Sequence, residues 1–104
     1  MYQKKLQSKY SKISNNKYMP IQAYIMTSMY PGVYNKALDE MKKIKNIEKI
    51  SIVTGDYDII IKVNVKNLEQ LHKLTSQIHK INGVEKTNTQ IIEKECKLFN
   101  VIKM

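Results

Sequence analysis

The sequence predicts an α+β domain with elements in the order β-α-β-β-α-β, and three observations support this prediction. Four segments have the apolar alternation and β-branched composition of strands. Two segments between them repeat apolar residues at the spacing of an amphipathic helix. Gly, Pro, Asn and Asp occur where these segments end. At 104 residues, the chain is long enough to bury one modest core.

The first strand, Ile21 to Met29, is apolar at both parities, so we expect both of its faces to be covered. Helices are expected on one face of the sheet, and the second cover is expected to come from another subunit. Pro31 is expected at an early position of the first helix. The apolar stripe of that helix comprises Val33, Ala37, Leu38, Met41 and Ile44.

The second and third strands are predicted at 46–53 and 59–65. We expect Ile50 and Ile52 on one face of the second strand and Ile47 and Val53 on the other. The third strand has one strictly apolar face, made by Ile59, Ile61, Val63 and Val65.

The connection between these strands, Thr54-Gly55-Asp56-Tyr57-Asp58, has the composition of a tight hairpin. It carries two carboxylates and a phenol where a single turn residue suffices. Burying such a charge is unfavourable unless a cation or several donors meet it. We therefore predict that this connection forms the mouth of a small-ligand site that accepts an ammonium group; the alternative is a solvated turn.

The second helix is predicted to begin after Asn67, with Gln70 completing a capping-box-like start, and to end before Asn82-Gly83. Its apolar stripe is Leu68, Leu71, Leu74, Ile78 and Ile81. The fourth strand, 84–92, places Glu85, Thr87, Thr89 and Ile91 on one face. Two hydroxyls occupy positions where a plain core strand has Val or Ile, and each needs a partner. The complete order is that of a ferredoxin-like sandwich.

Charge is concentrated near the N-terminus. The formal net charge is +9, and all 18 basic residues are lysines. Residues 1–20 carry five lysines and no acid, which predicts a flexible basic extension. Residues 94–104 are expected to form a tail that serves as a further edge strand or as an intersubunit clasp. Arginine is preferred for reading bases, so its absence argues against sequence-specific DNA binding.

The remaining composition favours a cytoplasmic protein without a metal or cofactor. No run of apolar residues is long enough for a membrane span, and the N-terminus lacks the apolar region of a signal peptide. The single Cys96 fits a reducing compartment. His72 and His79 are interpreted as surface histidines, because no further ligands accompany them. Cys96 has no neighbouring histidine that would act as a base, so no catalytic residue is expected.

Two motifs in this framework are similar to a known family. Gly55-x-Tyr57-Asp58 and, after the second helix, Gly83-Val84-x-x-Thr87-x-Thr89 resemble the effector-binding domain of the leucine-responsive regulator/AsnC family, also called the RAM domain. The resemblance covers roughly 21–93. Typical members carry an N-terminal helix-turn-helix domain, whereas this sequence has only its lysine-rich segment there. It therefore resembles a stand-alone effector domain, and direct operator binding is not expected.

The resemblance implies a homodimer that pairs through its sheets and assembles further into an octamer or similar ring. It also implies that a free amino acid binds at the junctions between dimers. The ligand-binding residues it implies are Gly55, Asp56, Tyr57, Asp58, Thr87, Asn88 and Thr89, with Leu71 and Thr75 on the second helix. Because Leu71 and Thr75 are uncharged and are expected to face the ligand side chain, a neutral or polar amino acid is favoured.

The function that follows is a non-enzymatic, oligomeric amino-acid sensor in transcriptional or metabolic regulation. It would act by modulating assembly or a full-length regulator of the same family. One alternative is a small ferredoxin-like dimeric enzyme of the oxygenase or isomerase type, although no histidine falls on a predicted strand. Another is a nucleic-acid-binding module that uses the lysine-rich tail.

Overall fold

The computed structural model describes residues 20–96 and Leu98. The predicted basic extension, apart from its last residue Pro20, lies outside the described residues, and so does most of the predicted C-terminal tail. Residues 92–96 have no regular secondary structure. Neither helix in the described part of the chain is long and apolar enough to cross a membrane.

The predicted element order is confirmed. The chain forms β1 (Ile21–Met29), α1 (Tyr34–Met41), β2 (Ile47–Ile52), β3 (Ile59–Val65), α2 (Leu68–His79) and β4 (Val84–Ile91). The strands make one antiparallel sheet in the order β2-β3-β1-β4. The two central strands, β1 and β3, are therefore paired on both sides, while β2 and β4 form the edges.

The two central strands alternate between a buried and a half-buried face. Ile25 on β1 and Ile61 on β3 lie opposite each other and are fully buried. They pack in one cluster with residues of both helices, including Met41 and Ile78. The residues between them, such as Met26 and Ile60, are only half-buried. The helices thus cover one face of the sheet, and the other face carries a half-buried apolar patch, beside which Glu95 pairs with Lys62 at 3.4 Å.

The first helix begins later than predicted. Pro31 and Gly32 form a turn, and α1 begins at Tyr34 after Val33. Gly32 has a φ of 91°, a left-handed conformation that interrupts a helix, so Pro31 is not in the first helical turn. Ile44 lies beyond the end of α1, where its backbone N–H donates to the carbonyl of Met41.

The alternation predicted for β2 is wrong at Ile47. A register shift between Ile47 and Lys49 adds an extra residue to β2, so the alternation changes phase at this point. As a result Ile47 pairs with Val63 and Ile50 pairs with Ile61, and these two of the three isoleucines of β2 pack against the core. Ile52 is 61% exposed, although its partner in register is buried.

The second helix starts as predicted but ends earlier than predicted, at His79, so Ile81 and Gly83 lie beyond it. The side chain of Asn67 accepts a hydrogen bond from the backbone N–H of Gln70 at 2.8 Å. Gly83 has a φ of 103° in the connection to β4. A Cβ on this glycine would overlap the side chain of Val33. The carbonyl of Gly83 accepts from the N–H of Tyr30 at 2.8 Å, so this close approach joins the connection after α2 to the end of β1.

Replacing Gly83 with alanine is expected to destabilise the fold more than the same change at Gly32. Both glycines have positive φ, but a Cβ at Gly32 would meet nothing within 4 Å. The excess loss in Gly83→Ala reflects the clash with Val33 and is expected to be about 1–3 kcal/mol. Urea unfolding of both variants measures it, and equal losses would contradict the close packing of Gly83 on Val33.

Candidate functional site

The connection between β2 and β3 is a six-residue loop, Val53 to Asp58, and not the tight hairpin predicted. It is closed by a hydrogen bond from the N–H of Val53 to the carbonyl of Asp58 at 2.9 Å. Gly55 and Asp56 are exposed at its tip, whereas Tyr57 and Asp58 are half-buried. Four of the predicted ligand-binding residues therefore lie in one loop and differ in how freely a ligand reaches them.

Asp58 anchors this loop to the end of β1. Its backbone N–H donates to the carbonyl of Thr27 at 2.9 Å, and its carboxylate oxygen Oδ2 accepts from the N–H of Met29 at 2.7 Å. The hydroxyl of Tyr34 donates to the carbonyl of Asp58 at 3.4 Å. The negative charge of Asp58 was predicted to need a donor, and the structure supplies one in the backbone N–H of Met29. One of the two carboxylate oxygens is therefore already hydrogen-bonded within the chain.

Strand β1 also joins the loop to the Thr-x-Thr segment of β4. Thr27, which accepts from Asp58, lies in register with Thr87. The ammonium nitrogen of Lys86 lies 5.9 Å from the centroid of the Tyr57 ring, within cation–π range. The loop and the first half of β4 are thus brought together at the same end of the sheet.

Thr27 itself was not singled out in the sequence. It is fully buried, and its hydroxyl has no hydrogen-bond partner among the described residues. A buried hydroxyl without a partner is costly. A threonine at an otherwise apolar position of β1 was the available signal.

A second group of candidate residues lines a depression of about 430 Å³ between α2 and β4. Leu71 and Thr75 contribute from α2, and Thr89 contributes from β4. Leu71 is buried and forms apolar wall, whereas Thr75 and Thr89 are half-buried. The hydroxyl of Thr75 donates to the carbonyl of Leu71 at 2.9 Å, which leaves its lone pairs as acceptors.

The structure therefore places seven of the nine candidates in two neighbouring groups. Leu71, Thr75 and Thr89 share the depression, and the loop residues 55–58 do not line it. Thr87 lies between the groups, two residues and roughly 7 Å from Thr89 along β4. Asn88 is exposed and points to the opposite face of the sheet, where its side-chain oxygen accepts from Gln90 at 2.8 Å.

Three lining residues of the depression were missed by sequence reasoning: His72, Ser76 and Ile91. The helical period contained the signal for two of them, because His72 and Ser76 each follow a predicted lining residue and stand four residues apart. His72 was interpreted as a surface histidine. It is exposed, but it lies at the edge of this depression.

The predicted face of β4 needs one correction. Thr87, Thr89 and Ile91 share a face, but Glu85 lies at a register shift opposite Ser28 and Met29. The carboxylate of Glu85 accepts a hydrogen bond from the hydroxyl of Ser28 at 3.3 Å. Among residues 20–96 and 98, no three metal-ligating side chains come together.

Replacing Asp58 with alanine is expected to lower the free energy of unfolding by about 1–3 kcal/mol, because the backbone N–H of Met29 would lose its acceptor in a buried position. The matched control is Asp56→Ala, which removes an exposed carboxylate from the same loop. The control is expected to stay within about 0.5 kcal/mol of the wild type. Chemical unfolding measures both, and equal stabilities would show that the carboxylate of Asp58 does not hold the loop.

Comparison with known proteins identifies relatives of this chain. The chain is 34% identical over 74 residues to the HTH-type transcriptional regulator FL11 of Pyrococcus furiosus, which covers 71% of this chain and 49% of that protein. It spans about half the length of the curated relatives it matches first. It also shares 29% identity with a homocitrate synthase of Sulfurisphaera tokodaii, over 72% of this chain and 16% of the enzyme.

Among solved structures, the chain resembles the feast or famine regulatory protein Rv3291c of M. tuberculosis complexed with L-methionine. The TM-score is 0.67 at 20% identity, over 76% of this chain and 54% of that one, which shows a shared fold. The family described as the Lrp/AsnC ligand binding domain matches residues 22–102. The chain therefore belongs to the Lrp/AsnC ligand-binding domain family.

Proposed function

We propose that the protein binds a free amino acid and conveys its presence to transcriptional or metabolic regulation. The observation that carries this proposal is the depression between α2 and β4, where three predicted ligand-binding residues from two separate segments line one space. Its volume of about 430 Å³ falls within the range of small-molecule sites. The family's ligand-binding role and the regulators among the relatives support the same function.

The chemistry of the depression suits a neutral or polar side chain. Leu71 and Ile91 provide apolar contact, and the hydroxyls of Thr75, Ser76 and Thr89 provide hydrogen bonds. None of these five side chains is charged, so a charged ligand side chain would lose hydration without a matching ion in their midst. The loop at Asp58 and Tyr57 would complete the site from a neighbouring subunit, since it does not line the depression of its own chain.

The proposed assembly is supported by the sheet face opposite the helices, called here the uncovered face because its central side chains are only half-buried by the described residues. Met26 and Ile60 lie side by side at its centre, and Tyr24 lies beside Lys62, whose ammonium nitrogen is 5.8 Å from the ring centroid. These side chains are half-buried in a single chain. A second copy packed on this face would remove them from water, and such dimers would assemble further into an octamer or similar ring. A full-length regulator of the family is the proposed partner for hetero-assembly.

An enzymatic role has less support. The alternative of a small ferredoxin-like enzyme calls for a buried histidine, and both histidines of the chain are exposed. Neither Tyr24 nor Tyr57 lines the depression between α2 and β4. The similarity to a homocitrate synthase covers 16% of that enzyme, so it supports a module attached to an enzyme more than a catalytic domain.

The ligand proposal is tested by calorimetry of the full chain with the twenty amino acids, L-methionine among them. At least one neutral amino acid is expected to bind. Thr89→Val removes one hydroxyl while keeping the side-chain shape, and it is expected to lower the affinity for that amino acid by about 10- to 100-fold. The control, Gln77→Ala, removes an exposed polar side chain from the other side of α2 and should leave the affinity unchanged.

Failure of all twenty amino acids to bind the assembled protein would refute the proposed function. Equal effects of Thr89→Val and Gln77→Ala would refute the placement of the site between α2 and β4, while leaving amino acid binding itself in place.

The assembly proposal is tested by light scattering. Ile60→Asp places a charge at the centre of the uncovered sheet face, and it is expected to convert the oligomer to monomers, because a charge buried between sheets is costly. Ile52→Asp makes the same chemical change at a side chain that is 61% exposed, and the oligomer should persist. An oligomer that survives Ile60→Asp, or a monomeric wild type, would contradict pairing through this face.

A further inference from the structure

The charges of the described chain are unevenly divided between its two layers. The helix layer, defined here as residues 33–46 and 66–80, carries seven lysines and three acidic residues. The rest of 20–96, which contains the strands and their other connections, carries four lysines and six acidic residues. The helix layer is therefore basic and the sheet layer is acidic, although the whole of 20–96 is close to neutral.

Part of this positive charge lines a groove beside α2. A depression of about 390 Å³ lies between α2 and the connection from α1 to β2. Its polar lining consists of three lysines and three side-chain amides: Lys43, Lys45, Lys73, Asn46, Gln70 and Gln77. We call this surface the lysine groove. It shares no lining residue with the depression between α2 and β4.

The lysines of this groove are available to an anionic ligand. Lys43 lies 3.5 Å from Glu40, and Lys73 lies 3.7 Å from Glu69. All four side chains are more than half exposed, and such surface pairs stabilise a protein little. Lys45 has no ion pair among the described residues. An incoming anion would therefore displace weak pairs at small cost.

We propose that the lysine groove binds the phosphate backbone of duplex DNA without sequence preference. Several ammonium groups that neutralise neighbouring phosphates release condensed counterions, which is the main source of sequence-independent binding. The amide side chains of Asn46, Gln70 and Gln77 add donors to phosphate oxygens. With no arginine in the chain, bidentate readout of guanine is not available.

The groove fits a nucleic acid better than an acidic peptide. Peptide recognition depends on apolar or aromatic anchors that insert into pockets. Among the described residues, the apolar lining is limited to Ile44 and Leu74, which already pack with the protein core. None of the lining residues in this part of the chain is aromatic. A polyanion held through its evenly spaced charges requires neither kind of anchor.

The test compares two double variants of the full chain with equal loss of charge. Lys45→Gln with Lys73→Gln removes two lysines of the groove. Lys49→Gln with Lys94→Gln removes two exposed lysines outside the helix layer. Binding of a labelled, mixed-sequence duplex is followed by fluorescence anisotropy across a salt series. The groove variant is expected to reduce the slope of log affinity against log salt by about 2, and the control is expected to leave it unchanged.

Two outcomes would overturn the proposal. Equal losses in both variants would mean that net charge, and not the groove, holds the DNA. Tighter binding of poly-glutamate than of duplex DNA, lost in the groove variant, would assign the groove to an acidic polypeptide. Thermal unfolding of both variants checks that they are folded, and a scrambled duplex of the same length is expected to bind as tightly as the first.

Discussion

The attachment of the loop 53–58 to the end of β1 is the constraint on which the arrangement of the two family-like motifs depends. Asp58 makes two bonds to this strand, one through its backbone N–H to Thr27 and one through its carboxylate to Met29. The other side of β1 pairs with β4. Motifs that are thirty residues apart in the sequence are therefore held at one end of the sheet by a single strand. Asp58, which the sequence analysis assigns to the ligand site, therefore also has a structural role, because its hydrogen bonds hold the loop to β1.

Element order and the faces of the central strands could be predicted because they follow from local chemistry. The alternation along 59–65 is strict, and β3 buries every second residue as expected. The cap of α2 was predicted from Asn67 and Gln70, because the hydrogen bond between them joins residues only three positions apart and so depends on local sequence alone. The two interruptions of register, after Ile47 and opposite Ser28, could not be predicted, because they depend on pairing between strands distant in sequence.

The sequence predicted three of the residues that line the depression, but neither its other lining residues nor its shape. Leu71, Thr75 and Thr89 meet in one depression because α2 packs beside β4, and no periodicity within either segment encodes that distance. His72 also lines this depression because α2 packs beside β4. Asn88 was included through its position between two threonines, yet alternation along the strand turns it to the other face. The carboxylate of Asp58 was predicted to bind an ammonium group of the ligand, but in the structure it accepts a hydrogen bond from the backbone N–H of Met29.

The lysine groove and the uncovered face of the sheet lie on opposite sides of the protein, and this separation determines whether both can be occupied at once. The groove belongs to the helix layer, whereas Met26 and Ile60 belong to the opposite surface. Occupancy of one surface leaves the other sterically open, so the two contacts do not compete. With both proposed contacts made, the protein would act as a bivalent adaptor: a dimer formed back to back would present two outward basic surfaces and would bridge separate stretches of one polyanion by avidity, without reading their sequence.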